Sequence, residues 1–237
     1  MSESVSFFPI HGIGKNGSST KPYTNFIAGI RKHLPIDFDL QVHPIDYSGI
    51  LDKREDEIYK WVKNMSPAWD ILAKKEREFA SYFVADVLAY AYPKRPLQPG
   101  DFMYDLEALL TEKLAEAKPE AKKVIFGHSL GSLVAFGAGW GIKTDCLIVA
   151  GSPFSYFSIR YKDGGEMNPD LSQFHNFWTP RDRVSTIISK NPKFKCVHDH
   201  QVPNWNPLHW TRLGAHSLYW SSDFVHKRIA KILQSLR

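Results

Sequence analysis

Short apolar segments of strand type alternate with segments of helical spacing along the chain, and this alternation constrains the possible fold most strongly. Residues 5–10, 146–150 and 174–178 are compact apolar runs that are typical of buried strands. A C-terminal helix is predicted over residues 222–236, with Phe224, Ile229 and Leu233 facing inward. The alternation predicts an α/β fold in which a mostly parallel central sheet is flanked by helices on both faces.

Residues with reactive side chains follow several of the predicted strands. Right-handed crossovers place the carboxyl ends of parallel strands at one edge of the sheet, where such folds bind ligands. The residues that follow strands in this way are Gly12, Ser129, Asp182 and His216. The sequence therefore predicts a functional site at this edge, within a single domain that spans residues 1–237.

Residues 51–100 interrupt the alternation. They are rich in charged and aromatic side chains at helical spacing, and Pro93, Pro96 and Pro99 break the chain at their end. The segment is predicted to be a helical cap, or lid, inserted between the second and third strands. Its aromatic residues could line an apolar pocket, but ordinary helix packing is the more economical interpretation of each one.

The composition argues against several classes of protein. The net charge of +5 arises from 30 basic and 25 acidic residues without a basic stripe, so no nucleic-acid partner is expected. No segment approaches the ~18 uninterrupted apolar residues of a transmembrane helix, so no membrane span is expected. Cys146 and Cys196 are predicted to be small buried residues rather than a stabilising disulfide. A cytoplasmic location is the expectation, since no leader segment is visible.

The sequence from Gly127 to Gly131, GHSLG, matches the pattern G-x-S-x-G. An apolar strand precedes it and a helix of small residues follows, which is the setting that a nucleophilic serine requires. The glycines leave space for a strained turn that projects the Ser129 hydroxyl above the sheet edge. Free N–H groups at the start of the helix direct positive charge to the same point. Ser129 is predicted to be a nucleophile, with a helix-capping serine as the alternative.

The segment VIFGHSLGS resembles the nucleophile segment of lipases and esterases of the α/β-hydrolase superfamily. The resemblance implies a compact α/β-hydrolase fold that lacks two of the family's usual N-terminal strands. It also implies a catalytic triad in the chain order serine, acid, histidine, and chemistry that needs no cofactor and no metal.

Asp182 is the candidate acid, because it follows a predicted strand in a short turn that resembles the acid loop of the family. Asp145 precedes its strand and is expected at the opposite edge of the sheet. Asp199 lies inside the last strand. Asp163 and Asp170 lie in a loop that contains Gly and Pro, and they are weaker candidates.

His216 is the candidate base. It follows the last predicted strand in a glycine-containing turn that resembles the histidine loop of the family. His209 also follows that strand and is the rival candidate. His226 lies on the C-terminal helix and is predicted to be a surface residue.

An oxyanion hole requires two donors directed at the developing negative charge. The backbone N–H of Leu130 is predicted to be one of them. The sequence from His11 to Gly14, HGIG, resembles the oxyanion loop of lipases, which makes the N–H of Ile13 the second. His11, Gly12, Gly127 and Gly131 are then expected to order the loop and the turn.

Two local patterns suggest other kinds of site. Cys196, His198 and His200 alternate along a predicted strand and could ligate a metal together with His209. The spacing of glycines from residue 12 to residue 17 matches a dinucleotide-binding fingerprint. Neither pattern accounts for Ser129, Asp182 and His216.

The function predicted from these residues is hydrolysis of a carboxylic ester, of the kind that lipases and esterases carry out. The expected partner is a small-molecule or lipid acyl ester. Thioesters and phospholipids are alternative substrates for the same groups, and a non-catalytic binding protein is the alternative from another class. The sequence leaves the acyl chain preference and the oligomeric state open.

Overall fold

The computed structural model describes residues 4–11, 21–47, 102–139, 143–154, 171–182, 184–190, 194, 196–204 and 212–237. Within these ranges the strands are β1 (Val5–Ile10), β2 (Leu40–Val42), β3 (Lys122–His128), β4 (Cys146–Ala150), β5 (Gln173–Trp178) and β6 (Val197–Gln201). The helices are α1 (Lys21–Arg31), α2 (Phe102–Ala115), α3 (Leu130–Gly139), α4 (Arg212–Ser217) and α5 (Asp223–Gln234), with a 3₁₀ turn at Leu218–Trp220.

The strands form a single sheet in the order β2-β1-β3-β4-β5-β6, and every neighbouring pair is parallel. This confirms the predicted α/β architecture. The carboxyl ends of β3 and β5 lie at the same edge, so the turns that carry Ser129 and Asp182 meet there. The predicted cap at residues 51–100 lies outside the described residues.

Both faces of the central strands β1, β3 and β4 are buried, which explains why these strands contain apolar runs rather than alternating patterns. Phe8 and Ile125 pack toward α2 and α3 on one face, and Phe7 and Val124 pack toward α1 and α5 on the other. Alternate residues along each strand thus supply two hydrophobic cores.

Residues 38–45 alternate between apolar and polar side chains, a pattern that predicts a strand, but β2 covers only Leu40–Val42. Regular pairing with β1 ends at Val42, and an isolated bridge between Ile10 and Ile45 follows. Pro9 of β1 has no N–H to donate to the neighbouring chain, which interrupts the ladder at that point.

The buried face of α5 agrees with the prediction at Ile229 and Leu233 and differs from it at Phe224. Phe224 is exposed, because the buried stripe runs through Val225, Ile229 and Leu233 at helical spacing. His226 was predicted on the surface but is buried, and it packs against Gly29 of α1, where a Cβ would lie 2.3 Å from its Nδ1. The His226 Nε2–H donates to the Trp220 carbonyl at 3.0 Å, which satisfies the ring within the core.

Neither cysteine forms a disulfide, as expected, but their burial differs. Cys146 is buried in β4, whereas Cys196 is exposed, contrary to the prediction, because it precedes β6 rather than lying within it. None of the helices formed by the described residues has the length and hydrophobicity that a membrane crossing requires.

Candidate active site

Ser129 occupies a sharp turn between β3 and α3. Its φ of 55° lies in the left-handed region, and no other non-glycine residue in the described part of the chain has a positive φ. Such a conformation disfavours a residue with a Cβ by about 1–2 kcal/mol. The turn is held by the Ser129 N–H, which donates to the Ala150 carbonyl at 2.9 Å, and by the Ser132 N–H, which donates to the Ser129 carbonyl at 3.0 Å.

The glycines on either side of Ser129 allow this turn because the backbone packs too closely for a side chain. A Cβ on Gly127 would lie 2.5 Å from the Gly131 carbonyl oxygen. A Cβ on Gly131 would lie 2.6 Å from the carbonyl oxygens of Ile10 and His11. Both glycines therefore have the predicted structural role, because the close backbone contact between β1, β3 and α3 leaves no space for a side chain at either position.

Asp182 and His216 are joined by a buried hydrogen bond. The His216 Nδ1–H donates to Asp182 Oδ2 at 2.9 Å, and the backbone N–H of Val184 donates to Asp182 Oδ1 at 3.0 Å. The opposite nitrogen, His216 Nε2, is buried without a hydrogen-bond partner among the described residues. An imidazole held in this way by a carboxylate has Nε2 available to accept a proton.

His216 lies in the short helix α4 rather than in an open turn. Gly214 alone does not prevent helix formation, since the residues that follow it carry no helix breaker. His209, the rival base, lies outside the described residues, as do Asp163 and Asp170. Asp145 lies at the opposite edge of the sheet, as expected, where it pairs with Lys122 at 3.2 Å.

His128 links the nucleophile turn to the histidine segment, a contact that sequence reasoning missed. Its Nε2–H donates to the His216 carbonyl at 2.9 Å, and the two imidazole centroids are 4.8 Å apart. Burial, followed by the proximity of His216, holds the pKa of His128 well below its usual value. His128 is thus neutral. Because it directly precedes Ser129, its hydrogen bond connects the nucleophile turn to the backbone of His216.

Asp199 shapes the segment that follows Asp182. Its carboxylate accepts hydrogen bonds from the N–H groups of Ile188 and Ser189 and from the amide of Asn176. The Asn176 amide also donates to the Thr186 carbonyl at 2.8 Å. Asp199, placed within the last strand by the sequence, is therefore a structural residue that orders the acid loop.

Gly151 was also missed by the sequence analysis. Its φ is 58°, and a Cβ there would lie 2.9 Å from Tyr219 Cε2, 3.1 Å from His216 Cε1 and 3.3 Å from Asp182 Oδ2. Gly151 directly follows Ala150, whose carbonyl holds the Ser129 N–H. The absence of a side chain at this position leaves room for Tyr219, His216 and Asp182 to pack together.

Gly151→Ala is expected to lower the rate of reaction at Ser129 at least tenfold and to destabilise the fold by about 1–3 kcal/mol. The new methyl group would displace His216 or Tyr219 and would also impose a left-handed conformation on alanine. The rate of inactivation by a fluorophosphonate, which reacts with activated serines, measures the first effect. Thermal melts of the variant and wild type measure the second. A variant as reactive as wild type would show that the contacts around Gly151 do not matter for the site.

Of the two candidate oxyanion donors, Leu130 lies within the described residues and Ile13 does not. Leu130 is buried at the first position of α3, where its N–H belongs to the unpaired first turn of the helix. Gly12 and Ile13 lie outside the described residues, as does the glycine pattern considered for dinucleotide binding. His11 directly follows β1, and its ring stacks on Trp220 with the centroids 5.3 Å apart.

The histidines considered as metal ligands pack against another histidine instead. His175 Nδ1 and His200 Nε2 are hydrogen-bonded at 3.0 Å, and His198 stacks on His175. Burial lowers the pKa of His175 to about 3 and that of His200 to about 4, so both rings are neutral near pH 7. Within the described part of the chain, no group of three or more potential ligands is arranged to hold a metal ion.

Comparison with known proteins gives matches in structure but not in sequence. No protein-family model matches the chain, and no curated protein matches it by sequence. A protein from Xanthomonas campestris pv. campestris that is assigned to the alpha/beta superfamily of hydrolases matches with a TM-score of 0.52 and 15% identity, over 98% of this chain and 99% of that one. ClbQ from the colibactin NRPS/PKS pathway matches with a TM-score of 0.47 and 12% identity, over 99% of this chain and 100% of that one, a likeness too low to support an argument. The parallel six-stranded sheet and the first of these matches together show that the chain has the α/β-hydrolase fold.

Proposed function

We propose that this protein is a serine hydrolase that cleaves carboxylic esters, with Ser129 as nucleophile, His216 as general base and Asp182 as the acid of the triad. The observation that carries the proposal is the buried His216–Asp182 hydrogen bond, at the edge of the sheet where β3 leads into the turn of Ser129. Buried ring nitrogens without a partner also occur at His43 and His128, and His216 differs from them in that its other nitrogen donates to a buried carboxylate.

The proposed reaction uses these three side chains together with the oxyanion donors predicted from the sequence. His216 Nε2 removes the proton of Ser129 as its oxygen attacks the ester carbonyl, and Asp182 stabilises the imidazolium that forms. The N–H groups of Leu130 and Ile13 stabilise the oxyanion of the tetrahedral intermediate. His216 then protonates the departing alcohol, which leaves an acyl group on Ser129. Water, activated by the same imidazole, releases the acid and restores the serine.

The buried surroundings of the pair favour this chemistry. Asp182 and His216 are both buried, and electrostatic interactions are stronger in such an environment than in water. The left-handed turn fixes the Ser129 backbone before substrate binds, so the nucleophile does not have to be ordered during the reaction. The substrate class proposed is an acyl ester, of the kind that lipases and esterases cleave.

The test is reaction with a fluorophosphonate probe, followed by mass spectrometric mapping of the adduct. We expect one adduct on Ser129 in the native protein and none after denaturation, because only the folded site activates the hydroxyl. Ser172→Ala is the matched control, since Ser172 is exposed at the opposite edge of the sheet, where its hydroxyl donates to the Asp145 carbonyl. A folded protein without an adduct on Ser129 would contradict the proposal.

A further inference from the structure

Three donors converge on the carboxylate of Asp182, and two of them share one oxygen. Asp182 Oδ2 accepts from His216 Nδ1 at 2.9 Å and also from the Tyr219 hydroxyl at 3.0 Å. Asp182 Oδ1 accepts from the Val184 N–H. Tyr219 is fully buried, so its phenol has no access to water as an alternative partner.

The local fold directs the phenol and the imidazole to the same carboxylate. His216 lies near the end of α4, and Tyr219 follows three residues later in the 3₁₀ turn. Residues three apart in such a turn lie on the same side of the chain. The Tyr219 ring also packs against Gly151, which fixes its position relative to both partners.

We propose that Tyr219 is a positioning residue that weakens the hold of Asp182 on protonated His216 and thereby sets the pH range in which Ser129 is reactive. The inference rests on the proposed function, because it concerns the same triad. It assigns to Tyr219 an electrostatic role in addition to packing.

The direction of the effect follows from the shared oxygen. A phenol that donates to Asp182 Oδ2 withdraws negative charge from the atom that stabilises the imidazolium. Without that donor the carboxylate binds the imidazolium more strongly, so the base stays protonated to a higher pH. A protonated base cannot accept the Ser129 proton, and reactivity therefore begins at a higher pH.

The groups around the pair support this assignment. Burial, followed by the nearby Asp182 charge, raises the pKa of Tyr219 well above its usual value, so the phenol remains a donor throughout the working range. Ser185 and the Thr179 backbone also face the phenol, and neither carries a charge. His128 faces His216 from β3, but it is neutral because burial lowers its pKa.

The experiment compares wild type, Tyr219→Phe and the control Tyr104→Phe, whose hydroxyl is on the exposed face of α2. The rate of inactivation by a fluorophosphonate is measured from pH 5 to pH 10, which requires no knowledge of the substrate. For Tyr219→Phe we expect the midpoint of the acidic limb to move up by about half a pH unit or more, which is a loss of about threefold below that midpoint. The alkaline plateau should stay within about twofold of wild type. Tyr104→Phe should match wild type throughout.

A second measurement is independent of reaction at Ser129. The NMR signal of the His216 Cε1 proton is assigned by its loss in His216→Asn and is followed as a function of pH in wild type and Tyr219→Phe. The midpoint of this titration should lie at a higher pH in Tyr219→Phe. Site-specific 3-fluorotyrosine at position 219, a stronger donor in the same place, should move both midpoints down.

The outcomes separate the two proposals. A lower plateau with unchanged midpoints would overturn the role of Tyr219 and leave it as a packing residue. A wild type without a Ser129 adduct would contradict the proposed hydrolase, and the NMR midpoints would still decide whether Tyr219 controls the protonation of His216.

Discussion

Ser129→Ala is expected to lower kcat/KM for ester hydrolysis by about 10⁵- to 10⁶-fold, the loss found when the nucleophile of a comparable triad is removed. Without the hydroxyl, His216 has no side-chain nucleophile to activate. A water molecule would have to attack the ester carbonyl directly, and the turn does not hold it in place. The measurement is the hydrolysis of a series of acyl esters of different chain length, with Ser172→Ala as the control that keeps wild-type activity. Activity retained in Ser129→Ala would mean that another group performs the reaction.

The same position links activity to stability. Ser129→Gly is expected to be as inactive as the alanine variant but at least as stable as wild type, because glycine adopts the φ of 55° without a steric penalty. Chemical denaturation of the two variants measures the difference. A glycine variant clearly less stable than the alanine variant would show that the turn is not strained.

Asp182→Asn is expected to lower kcat/KM by about 10³- to 10⁴-fold, the second largest effect among these predictions. An amide at this position cannot stabilise the imidazolium, and its NH₂ group can turn toward His216 Nδ1 and select the wrong tautomer. The donors from Val184 and Tyr219 would also lose the charge to which they donate.

The control for this variant is Asp145→Asn. Asp145 is a partly buried aspartate at the opposite edge of the sheet, where it pairs with Lys122. It should keep wild-type activity, with at most a small change in melting temperature, since a partly exposed ion pair contributes about 0–1 kcal/mol. If the two variants lost activity equally, a general effect on folding would explain both.

The parts of the molecule that could be predicted from the sequence are those with a local signal. The buried strands are continuous apolar runs, and the turn at Ser129 needs a glycine on each side, so both can be recognised within a few residues. Asp182 and His216 were proposed from their position after strands, and they lie within hydrogen-bond distance of each other.

The contributions of Gly151, Tyr219 and His128 could not be predicted, because each depends on contacts between residues far apart in the sequence. A glycine after a strand and a tyrosine after a helix are common, and only the packed structure shows that they meet at Asp182 Oδ2. The error at Phe224 has a related cause, since several helical stripes fit α5 and only its contact with α1 selects one.

The order of the strands has a consequence for the synthesis of the chain. β1 lies between β2 and β3, and Val5 is paired with both Leu40 and Lys122. The first strand therefore keeps one edge unpaired until the residues of β3 have left the ribosome, roughly a hundred residues later, and contacts so distant in sequence slow folding. During that interval an apolar strand with a free edge is open to aggregation, so we expect recombinant yield to depend on chaperones and on low expression temperature.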